Sequence, residues 1–297
     1  MNLGVFVNRH RVSLSFGLSL LIIIIFAVII QPRYRSTVVE FNGPHGRFPM
    51  TVLTSDREAR ATVVFLVGGP GGNATPNLAD EPILNGIANE SNGQIRIIVP
   101  AYLGTDFRSM YPKSDFLAAR SEISALIENE QRNGTKVCVV GASLGGYLAA
   151  SLAKNHQKSK FLLINPVILK PSEFLSRMRM RPEGRIIGLR YWHVENAEWD
   201  GKSRGTPKYI ADDAFWITFF GDYFNNDIID FLDSSSTRII YASGDPRIGV
   251  DKAEEIRKRN PDFYIKAVNS NDHVIESTVK FRPFVEEVNK WVGECLK

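Results

Sequence analysis

The sequence holds only two cysteines, Cys138 and Cys295, in 297 residues. Two thiols exclude a disulfide-stapled scaffold and any Cys-x-x-Cys metal site. An excess of one charge is also missing: 36 Lys and Arg stand against 32 Asp and Glu, a formal net charge of +4. No Lys/Arg block of the nucleic-acid-binding type occurs, so no nucleic-acid partner is expected. Internal repeats, low-complexity tracts and Pro- or Ser-rich linkers are absent. Histidine is scarce, with five in the chain. What is present is ordinary for a globular protein: 44% hydrophobic and 23% charged residues, which excludes a wholly disordered chain.

One long hydrophobic run stands near the start. Val12 to Pro32 carries no charged side chain, and Leu14 to Ile30 is apolar except for Ser15 and Ser19. At 1.5 Å per residue this run covers about 26 Å, near the lower limit for crossing a bilayer. No A-x-A-like cleavage site follows it, so the reading is an uncleaved transmembrane anchor rather than a signal peptide. Residues 1–35 then form the tail and anchor, and 36–297 the main domain. Arg9 and Arg11 before the run nearly cancel Arg33, Arg35 and Arg47 after it, so the charge rule sets no orientation. A domain outside the cytoplasm is the conventional expectation. Cys138 falls in a run that reads as a buried strand, so a bond to Cys295 is not expected.

The rest alternates apolar runs with helical patterns, which predicts an α/β fold around a mostly parallel sheet. Strands are expected at 37–41, 50–54, 61–67, 95–99, 136–140, 161–164, 237–241 and 263–268. Helices are expected at 116–131, 144–156, 251–259 and 279–296. The rhythm breaks between 167 and 236, which predicts a helical cap inserted over the ligand-binding edge of the sheet. Within it, Arg177, Arg179, Arg181, Arg185 and Arg190 lie around Met178 and Met180. They read as a solvated face, with anionic lipid or substrate as the alternative. Asp212, Asp213, Asp222, Asp227 and Asp230 lie among aromatic residues. An amphipathic helix with its acids in water is expected there; the alternative is a site for a substrate ammonium.

The most informative stretch is Val137-Cys-Val-Val-Gly141-Ala-Ser143-Leu-Gly145-Gly146. A strand runs into Gly-x-Ser-x-Gly, and a helix of small residues follows. Serine is a poor nucleophile unless it is exposed on a tight turn beside a base. Glycines on either side let strand and helix approach closely around such a turn. A second match, Gly201-Lys-Ser203-Arg-Gly205, has no apolar strand before it, and Pro207 blocks an immediate helix. It reads as a loop turn.

Upstream, Val64-Phe-Leu-Val67-Gly68-Gly69-Pro70-Gly71-Gly72 is a buried strand meeting a glycine cluster. Such a loop can present N–H groups to a developing oxyanion. The expected pair is Leu144, after the serine, with Gly69; Gly68 is the alternative. A phosphate loop is disfavoured, because neither the G-x-G-x-x-G spacing nor a Gly-Lys-Ser/Thr ending is present there.

Among the histidines, His10 precedes the apolar run, His45 sits in an early turn, His156 ends the helix after the serine, and His193 lies in the insertion. His273 follows the last predicted strand and is the one placed to act as a base. Asp245, in Ala242-Ser-Gly-Asp245-Pro, follows the preceding strand and is the expected acid, with Asp251 and Asp272 as alternatives. Asn165 ends an earlier strand and cannot supply the charge.

These residues together resemble the α/β-hydrolase superfamily. The order Ser143, Asp245, His273 matches its nucleophile–acid–histidine order, and the resemblance covers about residues 37–297. It implies an open, mostly parallel sheet of about eight strands and no metal or organic cofactor. The Gly68-Gly69-Pro70-Gly71 run is similar to the loop of the proline-iminopeptidase-like branch, but Val67 stands where that branch has His. Its Asp-x-Arg-Gly-x-Gly pattern is degraded here to Ala101–Arg108. The expected activity is therefore serine-dependent hydrolysis of a small ester, then of an aminoacyl amide. A non-catalytic binding protein on the same fold is the rival class.

Overall fold

The computed structural model describes residues 33–68, 81–100, 116–168, 178–186, 189–196, 209–210, 218–219, 221–223, 225–245, 250–272, 275 and 277–297, with backbone alone for 178–210 and 250–251. Tyr34–Lys297 forms one compact unit. No helix among the described residues is long and apolar enough to cross a membrane. The apolar run 14–30 lies outside those residues.

Eight strands form one sheet. They are β1 (Tyr34–Gly43), β2 (Gly46–Ser55), β3 (Ala61–Leu66), β4 (Ile95–Pro100), β5 (Lys136–Ala142), β6 (Lys160–Ile164), β10 (Thr237–Ala242) and β11 (Tyr264–Val268). Their spatial order is β1-β2-β4-β3-β5-β6-β10-β11. The β1–β2 and β2–β4 pairs are antiparallel, and every other pair is parallel. This is the mostly parallel eight-stranded sheet the sequence predicts. All six residues of β3 are buried, as expected of a central parallel strand covered on both faces.

The helices are α1 (Pro82–Glu90), α2 (Phe116–Arg132), α3 (Leu144–Ala153), α4 (Ile228–Phe231), α5 (Val250–Arg259), α6 (Thr278–Phe281) and α7 (Val285–Leu296). Pro82 opens α1, where its missing N–H costs nothing. In α2 the buried residues Phe116, Ala119, Ile123, Leu126 and Ile127 recur at helical spacing. Gly134, with φ +76°, turns the chain just beyond it. Helix α3 is buried along its whole length, which explains its small residues. Helix α1 is missing from the sequence-based expectations, because its nine residues are too few for a clear period.

Two expectations are corrected. The insertion is not simply helical. Among its described residues it holds a three-stranded antiparallel sheet of β7 (Met178–Ile186), β8 (Leu189–Asn196) and β9 (Tyr209–Ile210). The sequence carries the reason: Met-Arg-Met-Arg alternates with a period of two, and β8 is rich in aromatic and branched residues. The second correction concerns the cysteines. Cys138 does lie in a buried strand, yet it is disulfide-bonded to Cys295, with Cα atoms 6.1 Å apart. Val288, Trp291, Val292 and Cys295 form the buried stripe of α7, and this stripe brings the second sulfur to the interior where the first one lies.

Candidate active site

Parallel pairing puts the C-terminal ends of the central strands on one edge. Leu66 pairs with Gly141, Ala142 with Ile164, and Ala242 with Val268. The residues just beyond β3, β5, β6, β10 and β11 are therefore neighbours. They include Gly68, Ser143, Asn165, Asp245 and the 269–272 loop.

Ser143 stands between β5 and α3 with φ 51° and ψ −116°. Positive φ is uncommon for a residue with a side chain and costs on the order of 1–3 kcal/mol. The surroundings hold it there. Its N–H donates to the Ile164 carbonyl at 3.0 Å, and its own carbonyl accepts from Val167 at 3.0 Å and from Gly146 at 3.0 Å. The residue is half-buried.

Close approach requires the glycines. A Cβ on Gly141 would lie 2.2 Å from the Gly145 carbonyl oxygen, and one on Gly145 would lie 2.2 Å from that of Leu66. A Cβ on Gly68 would meet the Ser143 Cβ at 2.9 Å. The chain leaving β3 thus passes directly beside the serine. Leu144 is the first residue of α3, so its N–H has no intrahelical acceptor. Val67 is buried, consistent with an apolar residue at that position. Gly69 lies outside the described residues, and so does the second motif at 201–205.

Asp245 is buried, 5% exposed, and its N–H donates to the Ala242 carbonyl at 3.1 Å. Its loop is laced to the one after β11. The Ser243 N–H donates to Val268 at 2.8 Å, and the Gly244 N–H donates to Ser270 at 2.9 Å. The described part of that second loop ends at Asp272, and His273 lies outside the described residues. The alternative acid Asp272 pairs with Lys280 at 3.2 Å. Asp251 lies in α5.

Asn165 is the residue that sequence reasoning passed over. It is buried, with φ 44°. Its Oδ1 accepts from the Ala242 N–H at 2.8 Å, and its Nδ2 donates to the Asp272 carbonyl at 3.1 Å. The one signal for it is an Asn-Pro pair closing a strand, since Asn tolerates left-handed backbone.

Three other singled-out groups, His156, Asp222 and Asp227, find structural partners. His156 bonds Ser124 at 2.8 Å, and burial lowers its pKa. Asp222 pairs with Arg120 at 2.9 Å and accepts from the Tyr147 hydroxyl at 3.1 Å. Asp227 caps α4 and pairs with Lys252 at 3.0 Å. Burial pushes the Asp227 carboxyl up. The Ile229 N–H, Lys252 and Arg259 outweigh that and hold it below the ordinary carboxylate value. These two acids bind the protein's own cations. Among the described residues no group of His, Cys, Asp and Glu could hold a metal ion.

A family model described as an uncharacterised protein family, UPF0227, matches residues 94–217, less than half of the chain. No curated protein matches the chain in sequence. Solved structures match it over most of its length. A carboxyl esterase from Tuber melanosporum is 15% identical, with 90% of this chain and 89% of that one covered and a TM-score of 0.55. Fungal esterases from Rhizomucor miehei give 15%, 90%, 85% and 0.55 in the same order. An esterase from Pyrococcus furiosus gives 13%, 89%, 94% and 0.53. The chain has the α/β-hydrolase fold.

Proposed function

We propose that this protein is a serine hydrolase of carboxylic esters, held to a membrane by the apolar segment 14–30. The observation that carries the reading is Ser143. A serine on a strained strand-to-helix turn, with a glycine chain against it and a free helix start behind it, is an arrangement that exposes a hydroxyl to attack a carbonyl. His273 takes the hydroxyl proton as Ser143 adds to the carbonyl carbon. The N–H groups of Leu144 and Gly69, or Gly68 in its place, hold the oxyanion. Asp245 orients His273 and balances its charge. His273 then protonates the departing alkoxide, leaving an acyl-enzyme, and activates the water that releases the acid.

Ester rather than aminoacyl amide substrates are favoured on two grounds. The solved structures named above are esterases. Of the five acids that an aminopeptidase reading would offer a substrate ammonium, Asp222 and Asp227 bind Arg120 and Lys252 instead, and Asp212 and Asp213 lie outside the described residues. The buried Cys138–Cys295 bond supports placing the domain outside the cytoplasm, where disulfides persist.

The test is labelling of the full-length protein with a fluorophosphonate, beside Ser143→Ala, Ser203→Ala and His273→Ala. Labelling is expected for the wild type and Ser203→Ala only. A folded wild type that takes up no probe would leave a binding protein on a hydrolase fold.

A further inference from the structure

Asn165 belongs to no step of that mechanism, yet it joins the serine turn to the loops after β10 and β11. Its main chain is tied to the serine turn. Ile164 accepts from the Ser143 N–H, the Val167 N–H donates back to Ser143, and a Cβ on Gly146 would lie 2.7 Å from the Pro166 Cβ. Its own N–H donates to the Ile240 carbonyl at 3.0 Å. The side chain then reaches two further segments at once. One arm accepts from Ala242, three residues before Asp245, and the other donates to the carbonyl of Asp272. His273 is the next residue in the sequence.

We propose that Asn165 is a positioning residue that sets the spacing between Asp245 and His273 relative to Ser143; this rests on the hydrolase reading above. The chemistry selects the amide. One side chain must accept from one backbone group and donate to another, which a carboxylate cannot do and an apolar residue cannot begin to do. Gln carries the same groups one methylene too far. Asn also suits the backbone, because φ 44° is a conformation it tolerates better than most residues. Its burial, at 1% exposed, keeps water from competing for either bond. The two loops are also stitched by Ser243–Val268 and Gly244–Ser270, bonds that lie before Asp272. At Asp272 the side chain pairs with Lys280 and the N–H donates to Ser270 Oγ at 3.1 Å; the Asn165 Nδ2 bond is the one that ties the Asp272 carbonyl to the end of β6.

The experiment compares full-length wild type, Asn165→Gly and Asn165→Asp. Glycine relieves the positive φ and removes both arms. Aspartate keeps the accepting arm and loses the donating one. Three quantities are read: the fluorophosphonate labelling rate against pH, the melting temperature, and amide hydrogen exchange over residues 269–276. Both variants are expected to label at least about tenfold more slowly, since an error of about 1 Å in a reacting group costs about a hundredfold. Faster exchange is expected in 269–276 alone. In Asn165→Gly the pH midpoint of labelling is expected to move down by about half a unit or more, as His273 loses part of its hold on Asp245.

Rates within threefold of wild type, with an unmoved midpoint, would overturn the proposal and leave the hydrolase reading intact. A slower rate with an unmoved midpoint and a general fall in melting temperature would show a structural residue only. Absence of labelling in the wild type would remove both readings together.

Discussion

Gly68 and Ser143 stand so close that a Cβ on the glycine would lie 2.9 Å from that of the serine. The same added atom would lie 3.1 Å from the Ala142 carbonyl oxygen, so it has no direction of escape. Gly68→Ala must therefore move the serine turn or the chain leaving β3. Labelling by a fluorophosphonate is expected to slow by about a hundredfold, with the melting temperature little changed because the site lies at the edge of the sheet. An alanine variant that labels as fast as wild type would show that this wall does not shape the site.

The backbone of Ser143 separates stability from chemistry. Ser143→Ala and Ser143→Gly both remove the hydroxyl, so neither should take the probe. They differ in backbone, because alanine keeps the cost of φ 51° and glycine escapes it. The glycine variant is expected to be more stable than the alanine variant by about 1 kcal/mol, the strain relieved less the entropy glycine adds to the unfolded chain. Urea denaturation of the two variants measures this, and a less stable glycine variant would contradict the strain.

The cysteine pair gives a chemical test. Unfolded without reductant, the chain should offer no thiol to a maleimide, and after reduction it should offer two. The bridge spans 157 residues, so the chain-entropy relation gives a loss of about 5 kcal/mol on reduction. A denaturation midpoint unmoved by reductant would contradict it.

Glu81 sets a pH dependence. Burial raises its carboxyl from 4.5 to about 7, with a smaller opposing effect from the Ile83 N–H. The folded chain therefore keeps a proton that the unfolded chain gives up. This contribution is whole below the unfolded value of 4.5 and fades as pH rises through about 7. Glu81→Gln stays neutral throughout. Its stability relative to wild type should grow by up to about 3 kcal/mol between about pH 4.5 and 8. A difference that stays constant with pH would contradict the raised carboxyl.

Much of this was legible in the residues. The buried strands announce themselves by unbroken apolar runs, as in Ala61–Leu66. The serine turn is legible because its glycines are forced by backbone contact, and that constraint shows in sequence. Asn165 was not legible, since its importance comes from Ala242 and Asp272, 77 and 107 residues away in the chain. Spacing carries no trace of such bonds. The disulfide failed for a related reason: a strand pattern reports that Cys138 is inside, not which helix lies over it. Asp222 and Asp227 read as solvated acids because their cations, Arg120 and Lys252, stand on other helices.

The bridge between β5 and α7 also has a consequence for biosynthesis. The first sulfur is made long before the second, and the intervening chain includes β6, the whole insertion, β10 and β11. A ribosome feeding this chain across a membrane would deliver Cys138 into an oxidising space as an unpaired thiol, open to mixed disulfides until Cys295 arrives. With the domain outside the cytoplasm as proposed, early burial of the Val137–Val140 strand would shelter it, and the apolar neighbours of Cys138 would guard the thiol before they act as a core.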